Sequence, residues 1–77
     1  MMEIEEFVKK FAEQYYETPV ESFAPDTEFR NFEEWSSMTG LCLLTMIKEE
    51  FGFFLEPSVF KQCKTIQEVY DAVIKMI

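Results

Sequence analysis

The sequence contains no histidine and only two glycines, Gly40 and Gly52, among its 77 residues. Without histidine, the chain lacks the side chain that most often serves as a general base or a metal ligand near neutral pH. Two isolated glycines cannot build the glycine-rich loops that hold phosphates or dinucleotides. We therefore expect that the protein is not an enzyme with its own active site and that it binds no metal ion.

Cysteine is also scarce, since Cys42 and Cys63 are the two examples in the chain. Two cysteines are too few for a disulfide framework, and their spacing does not match a metal site. We interpret both as reduced thiols of a cytoplasmic protein that pack in the core or lie on the surface.

Signals for export or membrane insertion are missing as well. The opening stretch, MMEIEEFVKK, is acidic and has no long apolar core, so it does not read as a secretory signal. The longest strongly apolar stretch is Leu41–Ile47, far shorter than the ~20 residues that cross a bilayer. We expect no membrane insertion.

Positive charge is in short supply, with seven basic residues against fifteen acidic ones and a formal charge of −8. Such a surface repels nucleic acid and favours a partner with a basic patch. The apolar share is 48% and includes nine phenylalanines, enough for a packed core. The length and the lack of linkers or repeats predict a single domain over residues 1–77, and we expect a monomer.

Apolar residues near the start recur at helical spacing and predict a helix over Glu3–Tyr16, which Thr18-Pro19 ends. Its predicted apolar face consists of Ile4, Phe7, Val8, Phe11 and Tyr15. No period holds over residues 18–35, which predicts a long first loop with a helical turn near Val20–Phe23. We expect apolar side chains to pin this loop across the bundle, namely Val20, Phe23, Phe29, Phe32 and Trp35.

The remaining sequence predicts three more helices. The second spans Ser37–Phe51 and stops at Gly52, which suits a left-handed cap. Its predicted buried face consists of Met38, Leu41, Leu44, Thr45, Ile47 and Phe51. A short third helix is predicted over Pro57–Gln62, because proline suits a first helical position. The fold class is therefore all-α, a small four-helix bundle of three long helices and one short one.

The last helix is marked by a capping box at Thr65 and Glu68, whose side chains bond each other's backbone. Its predicted apolar stripe consists of Ile66, Val69, Tyr70, Val73, Ile74 and Ile77.

Two adjacent serines precede the second helix. Ser36 fits the N-cap, which is worth ~1 kcal/mol over alanine. Ser37 would then be the first helical residue, where a hydroxyl contributes little to capping and should face solvent. Ser37 is either a plain surface serine or a site of modification; attachment at Ser36 is a third possibility.

These features together resemble the acyl carrier protein family, in which an Asp-Ser-Leu tripeptide opens the second helix and its serine carries a 4′-phosphopantetheine arm. The corresponding tripeptide is Ser36-Ser37-Met38. The stretches DTEF, KEEFG and KTIQEVYDAVIKMI, at Asp26, Lys48 and Lys64, are similar to the family's remaining landmarks. The resemblance extends over essentially the whole chain.

The resemblance implies a discrete carrier that holds acyl, aminoacyl or polyketide intermediates as thioesters on an arm from coenzyme A, attached at Ser37. The implied partners are a phosphopantetheinyl transferase and acyl-activating and condensing enzymes. The implied partner-binding residues are Ser36, Met38, Thr39, Leu41, Cys42, Thr45 and Glu49. The alternative is a helical interaction module of the same fold that carries no arm.

This chain departs from the family in ways that point to a specialised pathway. Ser36 replaces the family's aspartate, and Thr39, Cys42 and Lys48 stand where acidic recognition residues are frequent. Recognition near the arm should therefore depend less on charge and more on apolar contacts, which argues against the housekeeping carrier of fatty-acid synthesis. Rings that could fill the interior, and so limit sequestration of long acyl chains, are Phe7, Phe11, Phe29, Phe32, Phe51, Phe53, Phe54 and Phe60.

Overall fold

A computed structural model describes residues 2–77, and within them it contains α-helices and no strand. The helices are α1 (Ile4–Ala12), α2 (Ser37–Phe51), α3 (Pro57–Gln62) and α4 (Ile66–Met76). The predicted all-α class, with three longer helices and a short one, is confirmed, and the predicted bounds of α2 and α3 are those observed. No helix in this part of the chain has both the length and the apolar character needed to cross a bilayer.

Helix α1 is shorter than predicted, because it ends at Ala12 and not at Tyr16. The backbone tightens after Ala12, where the Tyr15 N–H bonds the Ala12 carbonyl at 3.0 Å. The Tyr16 N–H then turns away to the Glu34 carboxylate, so no further helical turn forms. Tyr15 is nevertheless buried, and its hydroxyl donates to the Phe29 carbonyl at 2.9 Å.

The long first loop contains two short 3₁₀ turns, Val20–Ser22 and Phe29–Asn31, the first of them as predicted. Its middle is fixed to α4, since the Pro25 and Thr27 carbonyls accept the Gln67 and Ile66 N–H groups at 2.8 and 3.2 Å. These bonds satisfy amides that the first turn of a helix leaves without partners.

Side chains pin the loop largely as predicted. Phe23 and Phe29 are buried, and Phe32 and Trp35 are half-buried against the core. Val20 does not contribute as predicted, because it lies outside the core with 49% of its surface exposed.

Aromatic rings form the centre of the core. Phe7 and Phe11 of α1 and Phe29 of the loop are fully buried, and the Phe11 and Phe29 rings meet edge to face with centroids 4.9 Å apart. The remaining fully buried side chains are Leu43, Ile47, Leu55, Ile66, Val69 and Val73. Phe54 does not fill the interior as predicted, since it follows α2 on the surface and is 56% exposed.

The buried face of α2 differs from the prediction. Met38, Leu41 and Thr45 are exposed, while Leu44 and Ile47 are buried as expected. The face that packs consists of Thr39, Gly40, Leu43, Leu44, Met46 and Ile47. The apolar run Leu41–Ile47 offers apolar side chains on every side of the helix, so hydropathy alone could not fix its rotation.

Trp35 packs closely on α2 at Gly40. A Cβ at Gly40 would lie 3.2 Å from the Trp35 ring, a tight contact that the glycine avoids. Leu41, the next residue, is 60% exposed.

The helix ends are capped as predicted. Gly52 has a φ of 82° and donates its N–H to the Lys48 carbonyl at 2.8 Å. Thr65 and Glu68 form the capping box of α4, and the hydrogen bond from the Lys64 N–H lowers the pKa of the Glu68 carboxyl. Ile77 lies beyond the end of α4 and is 66% exposed, so its predicted place in the apolar stripe is wrong.

Candidate functional site

The start of α2 presents one capping hydroxyl and one free hydroxyl. Ser36 is the N-cap, in extended conformation, and its Oγ accepts the Thr39 N–H at 3.4 Å. Ser37 is the first helical residue and is exposed. Among residues 2–77, no side chain or backbone group forms a hydrogen bond with the Ser37 Oγ. The sequence-based division of roles between the two serines therefore matches the local geometry.

Thr39 is buried in the first turn of α2, although we predicted it as an exposed partner-binding residue. Only 9% of the residue is exposed. Its hydroxyl lies 3.3 Å from the Ser36 Oγ and donates to the Glu34 carbonyl at 3.5 Å. Burial and these bonds leave Thr39 little surface for a partner, so its predicted role as a direct contact is corrected to one of holding the cap.

Glu34 ties the end of α1 to the approach of α2. Its carboxylate accepts the Glu17 N–H at 3.0 Å, the Thr18 N–H and hydroxyl at 2.9 Å each, and the Tyr16 N–H. Desolvation alone would raise the pKa of Glu34, but the hydrogen bonds outweigh it and hold the pKa below its ordinary value. We call this set of contacts the Glu34 clamp.

The sequence analysis did not identify the Glu34 clamp, because the clamp depends on contacts between distant parts of the chain. Its bonds join positions up to eighteen residues apart in the chain. The one signal in the sequence was a carboxylate two residues before the N-cap serine. That position does not indicate which distant loop Glu34 binds.

One side of Ser37 opens into a groove of about 600 Å³ between α2 and α3. Its apolar walls are Trp35, Leu41, Leu44 and Phe60, and Ser37 lies on its edge. Arg30 and Lys61 supply positive charge, and no carboxylate lines it. We call this the cationic groove.

Arg30 is fixed at the floor of the cationic groove by aromatic rings. Its guanidinium carbon lies 4.7, 5.4 and 5.1 Å from the ring centroids of Phe29, Trp35 and Phe60. The guanidinium also donates to the carbonyls of Phe60, at 2.8 Å, and Cys63, at the end of α3. The Phe60 carbonyl also accepts the Cys63 N–H at 3.1 Å, so Arg30 adds a second hydrogen bond at the end of α3.

A smaller groove of about 310 Å³, which we call the acidic groove, lies beside Ser36 and Met38, the two neighbours of Ser37 in the chain. It is lined by Gln14, Tyr16, Glu17, Glu34, Ser36, Met38, Thr39 and Cys42. Tyr16, at 89% exposure, and Met38, at 69%, are its most open apolar side chains.

The other predicted partner-binding residues lie on the outer side of α2. Leu41, Thr45 and Glu49 are exposed and Cys42 is half-buried. The Thr45 hydroxyl donates to the Leu41 carbonyl at 2.9 Å, within its own helix. Leu41 with Met38 gives an apolar surface directly beside Ser37.

Both cysteines are free thiols, as the sequence suggested. Cys63 is buried and donates its S–H to the Val59 carbonyl at 3.4 Å. Burial raises the pKa of the Cys63 thiol, which keeps it protonated and unreactive.

The start of α2 is chemically suited to a phosphodiester. The amides of Ser37 and Met38 are in the first helical turn, where backbone N–H groups lack helical acceptors and the helix dipole favours an anion. No acidic side chain occurs in that turn. The exposed hydroxyl can be esterified and the free amides can bond a phosphate oxygen. A groove beside them offers space for an ester-linked anionic arm.

Comparison with protein families identifies the class. The sequence profile of the family described as "Phosphopantetheine attachment site" matches residues 5–73. No curated protein and no solved structure gives a significant match. The chain therefore belongs to the phosphopantetheine-binding family, and it is a carrier protein of the acyl carrier kind.

Membership in this family establishes the general chemistry. The family carries a covalently attached 4′-phosphopantetheine group and is not catalytic. Carrier proteins generally interact with phosphopantetheinyl transferases and with acyl-processing enzymes.

Proposed function

We propose that Ser37 is the attachment point of the 4′-phosphopantetheine arm and that the protein carries acyl, aminoacyl or polyketide intermediates as thioesters for a specialised biosynthetic pathway. The observation that carries the proposal is the exposed, unbonded Ser37 hydroxyl at the first position of α2. Ser36 is committed to capping and is therefore the weaker candidate.

The attachment step requires a nucleophilic oxygen that a transferase can reach. The Ser37 Oγ forms a bond to the phosphorus of the pantetheine phosphate, and the bond from that phosphorus to the adenylate phosphate of coenzyme A breaks. Adenosine 3′,5′-bisphosphate leaves and the hydroxyl proton passes to a base of the transferase. The free amides at the start of α2 stabilise the resulting phosphodiester charge. When bound, the arm supplies a thiol that holds acyl groups as thioesters.

A tethered cargo makes the surface around Ser37 the natural docking region for successive enzymes, because the tether keeps the cargo at high local concentration there. Met38 and Leu41, at 69% and 60% exposure, provide apolar contacts. Cys42, Thr45 and Glu49 continue this surface along α2. We propose that recognition depends on this mainly apolar strip, which distinguishes the protein from carriers recognised through acidic residues.

The packed core supports the expectation that sequestration of long acyl chains is limited. Phe7, Phe11 and Phe29 are fully buried, and the Phe11 ring contacts both of the other rings. A long chain between the helices would have to displace these rings. The single-domain organisation over residues 1–77 and the cytoplasmic location stay predictions.

Intact-mass measurement tests the assignment. The protein is incubated with coenzyme A and a broad-specificity phosphopantetheinyl transferase, and we expect one arm on the wild type. Ser37→Ala should receive none, whereas Ser36→Ala should still be modified and serves as the matched control. Addition of an arm to Ser37→Ala would show that another hydroxyl is the attachment site. No addition to the wild type by any transferase would favour the unmodified interaction module.

A further inference from the structure

A groove between α3 and α4 has no residue of α2 in its lining, and we call it the α3–α4 groove. Its volume is about 340 Å³, and its apolar lining consists of Leu55, Val59, Ala72 and Met76. Leu55 is buried, whereas Val59 and Met76 are 40% and 61% exposed. The α3–α4 groove shares no lining residue with the cationic groove or the acidic groove. A molecule can therefore occupy it and leave the Ser37 hydroxyl uncovered.

Charged side chains surround the apolar lining of the α3–α4 groove. Glu56 lies just before α3, Glu68 and Asp71 lie on α4, and Lys75 lies near the end of α4. All four are exposed. Three carboxylates and one lysine give the rim a net charge of −2. Within residues 2–77, no lysine or arginine forms a salt bridge with any of these carboxylates, so they are available to a cationic partner.

Two of the rim carboxylates are held in place on α4. Glu68 accepts the Lys64 and Thr65 N–H groups, and Asp71 accepts the Gln67 side-chain amide at 2.9 Å. A carboxylate has about four acceptor positions, so each keeps some for a further donor. Because these bonds already restrict both side chains, an ion pair with a partner loses less side-chain entropy than usual at a surface.

The shape and charge of the α3–α4 groove fit a basic amphipathic helix. From Glu68 to Met76 the lining follows α4 for about 12 Å, at about 1.5 Å per residue, which is about two turns of a partner helix. Apolar side chains of such a helix can cover Val59 and Met76, and lysines or arginines beside them can pair with the rim carboxylates. A fatty acid, an anionic membrane or a second copy of this chain, at −8, would bring negative charge to a negative rim.

We propose that the α3–α4 groove is a docking site for a basic amphipathic helix of a partner protein, and that a partner bound there leaves Ser37 and the start of α2 free. This inference goes beyond the proposed function, because the docking needs neither the arm nor its cargo. Such a site keeps the carrier attached to one protein at high local concentration while the start of α2 stays accessible to others.

Nuclear magnetic resonance titration of the ¹⁵N-labelled protein, without an arm, tests the docking site. The probe is a designed helical peptide of about 18 residues, longer than the ~12–15 below which isolated helices are marginal, with a leucine face flanked by lysines. The matched peptide has glutamate in place of each lysine. We expect the lysine peptide to shift the Val59, Ala72 and Met76 amide signals most, and salt to weaken its binding by screening exposed charges. Equal binding of the two peptides, or largest shifts at the acidic groove, would overturn the proposal.

Charge variants of the rim provide the matched control. Glu56→Gln combined with Asp71→Asn should weaken binding of the lysine peptide about fivefold, as for the loss of two exposed ion pairs. Glu13→Gln combined with Glu33→Gln removes the same charge from exposed positions outside the groove lining, and it should change the affinity by less than about twofold. Lys75→Gln should strengthen binding, since it removes the cation of the rim. Equal losses in the two double variants would show attraction to the net charge alone and would contradict a defined site.

Arm attachment in the presence of the lysine peptide separates this proposal from the assignment of Ser37. With the peptide at saturation, we expect the transferase to add the arm at the rate seen without it, and a block of attachment would overturn the independence of the two surfaces. If no arm is added with or without the peptide, while the expected shifts occur, the assignment of Ser37 fails and the docking site stands. Shifts of the same signals with protein concentration alone would assign the groove to a second copy and overturn the proposal.

Discussion

The two grooves at the start of α2 are built from different interactions. Beneath the cationic groove, Phe29 is fully buried and contacts Trp35 and Phe60, with ring centroids 5.7 Å apart in each case. The acidic groove is organised by the Glu34 clamp, in which one carboxylate holds the Tyr16–Thr18 backbone.

The difference gives the two grooves different physical properties. Ring packing is insensitive to pH and gives the cationic groove a fixed shape. A carboxylate bonded to exposed loop amides is sensitive to pH and leaves Tyr16 and Met38 on the surface, which suits contact with partners. Substitutions on each side should therefore have distinct consequences.

The largest effect is expected from Phe29→Ala. Removing a fully buried ring should lower the free energy of unfolding by ~3–5 kcal/mol. That is a large part of the ~4–12 kcal/mol expected for a chain of this size. Urea unfolding followed by fluorescence of the single tryptophan measures the loss.

Phe54→Ala is the matched control, since Phe54 is 56% exposed. We expect its stability to stay within ~0.5 kcal/mol of the wild type, as for most surface substitutions. Equal losses in the two variants would contradict the assignment of Phe29 as the support of the cationic groove.

A smaller and pH-dependent effect is expected from Glu34→Gln. The folded-state pKa of Glu34 is lowered, so ionised Glu34 contributes stability above its unfolded pKa, and this contribution is lost as the pH falls through the folded value. The melting temperature of the variant should lie below that of the wild type at neutral pH. The difference should shrink once the pH falls below about 4, the ordinary range of glutamate.

Thermal denaturation across this pH range measures the effect. Glu33→Gln removes the same charge from the exposed neighbouring side chain, which takes no part in the clamp, and it should give no comparable pH-dependent difference. A Glu34→Gln deficit that persisted unchanged at acid pH would show that the carboxylate charge is not what holds the loop.

The smallest change in stability is expected from Ser36→Asp, between the two grooves. Both residues are good N-caps, so stability should change by only a few tenths of a kcal/mol. We expect arm attachment to become faster, because the substitution places beside Ser37 the acidic group that the family has there, and a basic patch on a transferase would attract it. Ser36→Asn, a cap of similar shape without the charge, separates the two causes in a time course followed by mass spectrometry. If arm attachment is faster by the same factor in both variants, the added negative charge is not the cause.

Much of the fold was predictable because it depends on local signals. The bounds of α2 and α3, the Gly52 cap and the capping box at Thr65 follow from interactions between residues a few positions apart. The exposed hydroxyl of Ser37 follows from the same local logic, since Ser36 occupies the cap. The premature end of α1 was not predictable in this way, because a distant carboxylate takes the Tyr16 amide.

The sequence by itself determined the helices, their caps and the serine at the start of α2, because each depends on neighbours along the chain. Only the tertiary structure decided which side of α2 is buried, since Leu41–Ile47 has apolar side chains on every side of the helix and packing against the rest of the core selects one face. It likewise brought Arg30 and Lys61, far apart in sequence, to one groove beside Ser37. Charge and shape at that groove depend on long-range packing, which local patterns do not encode.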